Sequence, residues 1–223
     1  MKTVALIALA GCVAGASAQT QSYSGFFDLQ DLNFGGTEQI PAFDDMGGTL
    51  ILECVEITLS GFVTGSAAGE NTSESSAATV SLDLSAEMIA SLPALAGLEV
   101  AEIIPLANET FEADIFDGDL DFGGTSGMSF DELAGSDSET FMIDSSNPLW
   151  AAISGLFTGP GPIDVDFDAV GASQATGGAN IASEFSAQAS LEWEISYSFR
   201  VIPTPGTAGL MAMGGLLAAR RRR

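Results

Sequence analysis

The sequence predicts an all-β protein that folds as a single antiparallel β-sandwich, with the jelly roll as one candidate topology. Apolar and polar residues alternate along many short segments, and clusters of Gly, Pro, Ser and Asn separate those segments. The clearest alternation comes last: odd positions from Phe185 to Val201 are apolar, and even positions from Glu184 to Arg200 are polar. We expect a long strand there with one buried face and one solvated face.

The first 18 residues have the pattern of a secretory signal peptide. Lys2 supplies a positive charge, an apolar stretch follows, and Ala16-Ser17-Ala18 gives the small-x-small cleavage pattern. We therefore expect export through the inner membrane and cleavage after Ala18, which leaves Gln19 as the new N-terminus. Leu9-Ala10-Gly11-Cys12 also matches a lipoprotein box, so a lipid on Cys12 is the alternative.

The charge of the remaining chain limits the classes of partner that it can bind. Between Gln19 and Ala219, Arg200 is the sole cation against all 30 acidic residues, which gives a formal charge of −29. Such a surface repels nucleic acid and favours divalent cations and basic partners, so we expect no nucleic-acid binding. Residues 19–202 are enough for one domain with a proper core. Cys54 is the one cysteine left there, and we expect a small buried hydrophobe.

Shorter alternating segments predict the earlier strands in chain order. They contain Tyr23 to Leu29, Leu50 to Leu59, Val80 to Leu84, Thr110 to Phe116, and Ile163 to Phe167 with Asp164, Asp166 and Asp168 on the opposite face. The alternation slips at Cys54-Val55, where we expect a β-bulge. A double turn is expected over 157–162, which contains two Gly-Pro pairs.

Three stretches deviate from the strand pattern. Gly65 to Ala78 is rich in Ser, Ala and Gly and predicts a loop. Ser85 with Met88 and Ile89 predicts the start of a short helix that Pro93 ends. Met128 to Ile143 is only weakly patterned.

The last 21 residues, 203–223, predict a short transmembrane helix. Pro203 and Pro205 cannot lie inside a helix, so it runs over the uncharged residues 207–219. At about 1.5 Å per residue it is about 20 Å long, against about 30 Å of hydrocarbon, which makes a poor permanent span. Four cations then hold the C-terminus on the cytoplasmic side: Arg220, Arg221, Arg222 and Arg223. We expect cleavage close to Pro205; a short anchor that is never cut is the alternative.

This tail resembles the PEP-CTERM sorting signal, which exosortases recognise in Gram-negative bacteria that make extracellular polysaccharide. The resemblance rests on Ile202-Pro203-Thr204-Pro205-Gly206, the Gly/Ala/Leu span and the terminal arginines; the usual motif has Glu where Thr204 stands. It implies an exosortase-like sorting enzyme as partner, transient association with the inner membrane, and a final place at the cell surface or in the extracellular polysaccharide matrix.

Most of 20–202 resembles the choice-of-anchor E domains. The matching features are Pro41-x-Phe43-Asp44, Gly48-Thr49-Leu50 before a strand, Phe157-x-Gly159, and the strand from Trp193 to Phe199. Those domains are secreted, carry interchangeable C-terminal anchors and have, as a family, no assigned activity. The resemblance implies a surface or matrix protein without catalytic activity.

The residue types present also limit the chemistry. The chain has no histidine, which excludes Ser-His-Asp sites and the usual zinc ligation, and its lysine lies in the signal peptide. We therefore expect no enzyme and no cofactor. Carboxylates alone can hydrolyse glycosides, so a carboxylate-only hydrolase is one alternative. A carbohydrate- or calcium-binding adhesive module is the other, with Trp150 as the first candidate aromatic for sugar.

Calcium is the metal that the acidic residues suggest. Asp117, Asp119 and Asp121 stand at alternate positions in a loop that also contains Gly118. An EF-hand would need Gly where Phe122 stands and Glu where Met128 stands, so that motif fails. The alternatives are an irregular calcium loop and a solvated loop.

Overall fold

The computed structural model describes residues 7–8, 19–178 and 180–202. The predicted cleavage after Ala18 and the predicted sorting signal, 203–223, lie outside this range. The described residues form two antiparallel β-sheets packed face to face, which confirms the all-β sandwich. None of their helices is both long enough and apolar enough to cross a membrane.

The elements follow one another in a regular order, with one α-helix and one 3-10 helix among the strands of the described chain. They are β1 Ile7–Ala8, β2 Gln19–Asp31, β3 Phe34–Pro41, β4 Leu50–Asn71, β5 Ala78–Leu92, a 3-10 helix Pro93–Leu95, β6 Leu98–Ile103, β7 Leu106–Ala113, β8 Gly127–Asp144, α1 Trp150–Phe157, β9 Pro162–Gly171, β10 Gln174–Gly177 and β11 Ile181–Val201.

Sheet one has the strand order β1-β2-β11-β4-β8. Sheet two has the order β10-β5-β9-β3, with β6 and β7 also paired to β5. Along the chain, β2, β4, β8 and β11 belong to sheet one, and the strands between them belong to sheet two. The inward side chains of both sheets form one core.

The predicted final strand is confirmed and is the centre of sheet one. β11 pairs along its whole length with β4, from Ile181 opposite Asn71 to Val201 opposite Leu50. Its odd positions from Ala189 to Phe199 are buried. The predicted bulge is present next to the expected Cys54-Val55 position, because Cys54 is opposite Ser198 while Leu52 is opposite Phe199, which leaves Glu53 as the extra residue. The bulge shifts the alternation by one residue, so that Leu52 and Val55 both lie in the core.

The loop predicted for Gly65 to Ala78 is wrong over its first half, because β4 continues to Asn71. The small residues at the end of β4 allow the two sheets to pack closely and do not form a turn. A Cβ on Gly69 would lie 2.9 Å from Leu82 Cδ2, so the two sheets approach too closely for a side chain at that position.

The helix predicted from Ser85 to Pro93 is also wrong. The strand β5 runs through it, with Ala86, Met88, Ala90 and Leu92 all buried. β5 is paired there on both sides, by β6 and by β9. Pairing on both edges outweighs the helix propensity of these residues. The α-helix of the domain lies instead at α1, just before the predicted turn of residues 157–162.

Candidate functional site

A groove on the outer face of sheet one is a candidate site; we call it the sheet-one groove. Its volume is about 460 Å³. Its outward side chains come from the three neighbouring strands β2, β11 and β4: Ser24, Phe26, Glu192, Glu194, Thr58 and Ser60.

Strand register brings these side chains together in two rows. Glu194 lies opposite Ser24 on one side and Thr58 on the other. Glu192 lies between Phe26 and Ser60 in the same way. Neighbouring strands are about 4.8 Å apart, and residues two apart on one strand are about 7 Å apart. The alternation that buries the odd positions of β11 therefore places both glutamates outward, side by side in one groove.

The groove combines an apolar surface with negative charge. Phe26 is 56% exposed and supplies the apolar surface of the groove. Glu194 accepts a hydrogen bond of 3.2 Å from the Ser196 hydroxyl, which is in turn 2.7 Å from the Ser22 hydroxyl. Arg200, the one cation of the described chain, lies further along β11 and pairs with Glu53 at 2.7 Å. The groove itself therefore contains no cation.

A ladder of hydroxyl groups extends the polar surface from β4 onto β8. Thr58 lies 2.8 Å from Thr140 between hydroxyl oxygens, and Ser60 lies 2.7 Å from Ser138. These pairs continue the two rows of the groove by one more strand. A ligand lying across the strands would meet hydrogen-bonding groups along that whole width.

The floor of the groove is supported from inside the core. The Trp193 indole stacks on Phe167 of sheet two, with ring centroids 5.2 Å apart and planes 15° apart. It lies against the backbone of Gly25, where a Cβ would be 2.5 Å from the indole Cζ2 atom. This packing leaves little freedom for the strands that carry Phe26 and the two glutamates.

The three aspartates of the calcium prediction lie in a loop organised by a different residue, Glu70. The Glu70 side chain is fully buried at the end of β4. Its Oε2 atom accepts backbone hydrogen bonds from Asp121 at 3.0 Å and Phe122 at 2.7 Å, and its Oε1 accepts one from the Ser126 hydroxyl at 3.0 Å. The backbone N–H groups of Asp121 and Phe122 therefore point inward, toward the Glu70 carboxylate.

The aspartates themselves mostly stabilise local turns. Asp117 accepts a hydrogen bond of 3.1 Å from the Asp119 amide, and Asp121 accepts one of 2.9 Å from the Gly123 amide. Within the ranges that the structure describes, no three acidic or cysteine side chains are grouped so that they could hold a metal ion. Calcium binding by Asp117, Asp119 and Asp121 stays a prediction.

The other residues that the sequence suggested as functional are buried in the domain or hydrogen-bonded to neighbouring strands. Trp150 opens α1 and is partly buried against the core rather than standing free in a loop. Cys54 is buried, and burial, with Glu56 nearby, raises the pKa of its thiol above the ordinary value. Asp164 and Asp166 face outward as predicted and accept hydrogen bonds from sheet-two side chains on β3.

Phe26 and the two glutamates were not singled out from the sequence, although a signal for them exists. Two consecutive phenylalanines, Phe26 and Phe27, in one strand must point to opposite faces, so one of them faces outward. The even positions of β11 are outward for the same reason. Which of them share a groove depends on the order of strands in the sheet, which the sequence does not contain directly.

The comparisons with known proteins add little to this picture. No protein-family model matches the sequence, and no curated protein matches it at a significant level. Among solved structures, the chain has a weak similarity to T=1 particles derived from infectious bursal virus and to infectious bursal disease virus of the Gt strain. Both are 15% identical over 98% of this chain, with TM-scores of 0.18 and 0.13. The chain spans about half the length of each, 52% and 53%, and so weak a likeness supports neither fold nor function.

Proposed function

We propose that the protein is an exported surface or matrix protein without catalytic activity, which an exosortase-like enzyme sorts through its C-terminal tail. The observation that carries the proposal is the placement of the domain's two ends. β2 begins at Gln19 and β11 ends at Val201, and these strands are neighbours, with Gln19 opposite Phe199. Both proposed targeting segments therefore join the sandwich at the same end of sheet one.

Cleavage at both proposed positions would leave the sandwich intact. The last described residue, Ile202, donates a backbone hydrogen bond of 2.8 Å to Thr49, so the fold is closed before Pro203. A cut near Pro205 removes none of the described strands. A cut after Ala18 removes Ile7 and Ala8, which contribute one two-residue edge strand to sheet one.

Intact-mass analysis of the protein from its native host tests this proposal. We expect extracellular material that starts at Gln19 and lacks everything from about Gly206 onward. Full-length protein found only in the membrane fraction would show an uncut anchor instead. As a second test, Ser at positions 220–223 should let the apolar span slip through the membrane and give unprocessed protein. Normal processing of that variant would mean that the arginines are not the stop signal.

The finer fold class that we propose is the jelly roll. What supports it is the strand order, in which β2-β11-β4-β8 faces β3-β9-β5 with β6 and β7 beyond. Successive strands along the chain thus cross repeatedly from one sheet to the other, as they do in a double-sheet jelly roll. This topology places the strands β2 and β11 next to each other.

Carbohydrate binding is the second candidate function, and the sheet-one groove favours it. An exposed aromatic ring next to hydroxyl and carboxylate groups offers an apolar surface for a sugar ring and acceptors for its hydroxyls. The hydrolase alternative gains less support. Glycoside hydrolysis needs two carboxyl groups that flank the scissile bond, whereas Glu192 and Glu194 stand side by side on one strand. Calorimetric titration with neutral oligosaccharides tests glycan binding, and Phe26→Ala should weaken it.

A further inference from the structure

We propose that the sheet-one groove binds a glycan chain that carries free amino groups. In this assignment Glu192 and Glu194 pair with the ammonium groups, and Phe26 packs against a sugar ring. The inference rests on the second candidate function and adds the chemical class of the ligand. Three features support it: the charge of the groove, the spacing of its side chains and its hydroxyl ladder.

The charge of the groove selects against anionic glycans. Glu192 and Glu194 lie on one face of β11, and Arg200, six residues beyond Glu194, is paired with Glu53. Uronic acids or sulfated sugars would meet two carboxylates and no compensating cation. An ammonium group instead forms a charge-assisted hydrogen bond to a carboxylate, which is about twice as strong as a neutral one. The groove is therefore complementary to a cationic chain.

The spacing of the side chains lets one sugar residue make both kinds of contact. Phe26 is directly opposite Glu192 on the neighbouring strand, so their Cα atoms are about 5 Å apart. A ring that stacks on Phe26 can direct an amino group to Glu192, and the aromatic face also attracts the cation. Glu194, about 7 Å away along β11, lies in the neighbouring row and can pair with an amino group at the side of a chain that crosses the strands.

The hydroxyl groups supply the remaining polar contacts. Ser24, Thr58 and Ser60 lie in the same two rows, and the Thr58–Thr140 and Ser60–Ser138 pairs continue them. Serine and threonine hydroxyls both donate and accept, so they suit sugar hydroxyls of either orientation. A polymer crossing the strands would thus exchange water for protein hydrogen bonds along its length.

The test compares three hexasaccharides by isothermal titration calorimetry with the full chain in mild detergent. They are the hexamer of glucosamine, the hexamer of N-acetylglucosamine and the hexamer of galacturonic acid, in about 0.15 M salt, where the Debye length is about 8 Å. The pH is kept low enough that the amines are protonated. We expect the glucosamine hexamer to bind at least about tenfold more tightly than the acetylated one, a difference of about 1.4 kcal/mol, and the galacturonate hexamer not to bind.

Variants separate the groove from the general acidity of the protein. Glu192→Gln with Glu194→Gln should remove the preference for free amines. Phe26→Ala should weaken the binding of both the glucosamine and the N-acetylglucosamine hexamer. The matched control is Glu99→Gln with Glu102→Gln, which removes the same two charges from exposed positions of β6 in sheet two. Its affinities should equal those of the parent chain. Circular dichroism melts confirm that each variant is folded.

Each other outcome overturns a defined part of the proposal. Equal weakening by both double variants would mean that a highly acidic protein attracts any polycation, and the groove assignment would be wrong. If the acetylated hexamer bound as tightly as the free amine and still required Phe26, glycan binding would stand and the amino-sugar class would fall. If no hexamer bound, both the class and the carbohydrate-binding function would be rejected.

Discussion

Replacing Glu70 should reveal most about what fixes the acidic loop, residues 117–126, to the end of β4. Glu70 is fully buried although it lies on the outer side of β4, because the loop of residues 117–126 covers it. Its carboxylate accepts hydrogen bonds from Asp121, Phe122 and Ser126. Asn71 next to it is also fully buried and bonds to the carbonyls of Ser76 and Asp114. Two adjacent side chains thus tie two loops to the end of one strand.

The magnitude follows from the partners that each substitution leaves unpaired. Glu70→Ala removes every acceptor, so two backbone N–H groups lose their partner at about 1–3 kcal/mol each, and we expect a loss of about 3–4 kcal/mol in the free energy of unfolding. In Glu70→Gln the amide oxygen can still accept from both N–H groups, and the amide nitrogen can donate to the Ser126 hydroxyl. That variant should lose only about 1–2 kcal/mol, the difference between charged and neutral hydrogen bonds.

Urea unfolding followed by tryptophan fluorescence measures these changes as shifts of the transition midpoint. Asp121→Asn is the matched control, because this carboxylate is exposed and accepts a hydrogen bond from Gly123 within its own turn. It should lose less than about 1 kcal/mol. Hydrogen exchange at the Asp121 and Phe122 amides should accelerate in Glu70→Ala more than exchange in the core strands. A Glu70→Ala variant as stable as Asp121→Asn would refute the role assigned to Glu70.

Burial, with a smaller effect of neighbouring Tyr23, raises the pKa of the Tyr197 phenol well above its usual value. The contribution of Tyr197 to the free energy of unfolding should therefore be constant up to about pH 10 and fall above it, where the unfolded chain releases this proton and the folded chain keeps it. Tyr197→Phe should flatten that fall in alkaline urea titrations, and should cost about 1 kcal/mol at neutral pH by removing the 3.0 Å hydrogen bond to the Pro41 carbonyl. Gly25→Ala should lower stability by about 1–3 kcal/mol in the same assay, because its Cβ would meet the indole beneath it, whereas Gly155→Ala in α1, with open space around its Cβ, should be neutral or slightly stabilising. If the acidic loop binds calcium, Ca²⁺ should raise the melting temperature more than Mg²⁺ at equal ionic strength and Asp119→Asn should abolish the difference; equal shifts would mean simple screening.

The sequence predicts correctly those strands that have one buried face and one solvent-exposed face. β9 and β11 alternate strictly, and both were assigned correctly together with the orientation of their side chains. The bulge near Cys54 was also correct, because a slip in alternation has few other physical explanations. Each of these predictions needs only the side chains of the strand itself.

The parts that could not be predicted depend on residues that are distant in sequence and pack or pair against them in the fold. The end of β4 contains glycine and alanine because Leu82 of sheet two approaches it, and without that neighbour the composition is typical of a loop. β5 contains helix-forming residues that become strand because both of its edges are paired. Glu70 is the same case at the level of a site: its partners Asp121 and Phe122 are 51 and 52 residues away in sequence.

The position of the groove along β11 bears on how sorting and glycan binding would work together. Glu194 lies seven residues before the end of the strand at Val201, which corresponds to about 24 Å at about 3.4 Å per residue. If the tail spans the membrane as proposed, the groove is about three Debye lengths from the point where the tether leaves the domain. Anionic headgroups at that distance would not compete with the glutamates for a cationic sugar. The groove would then be equally available before and after cleavage, so that an uncut chain holds the polymer at the cell and a cut chain remains within it.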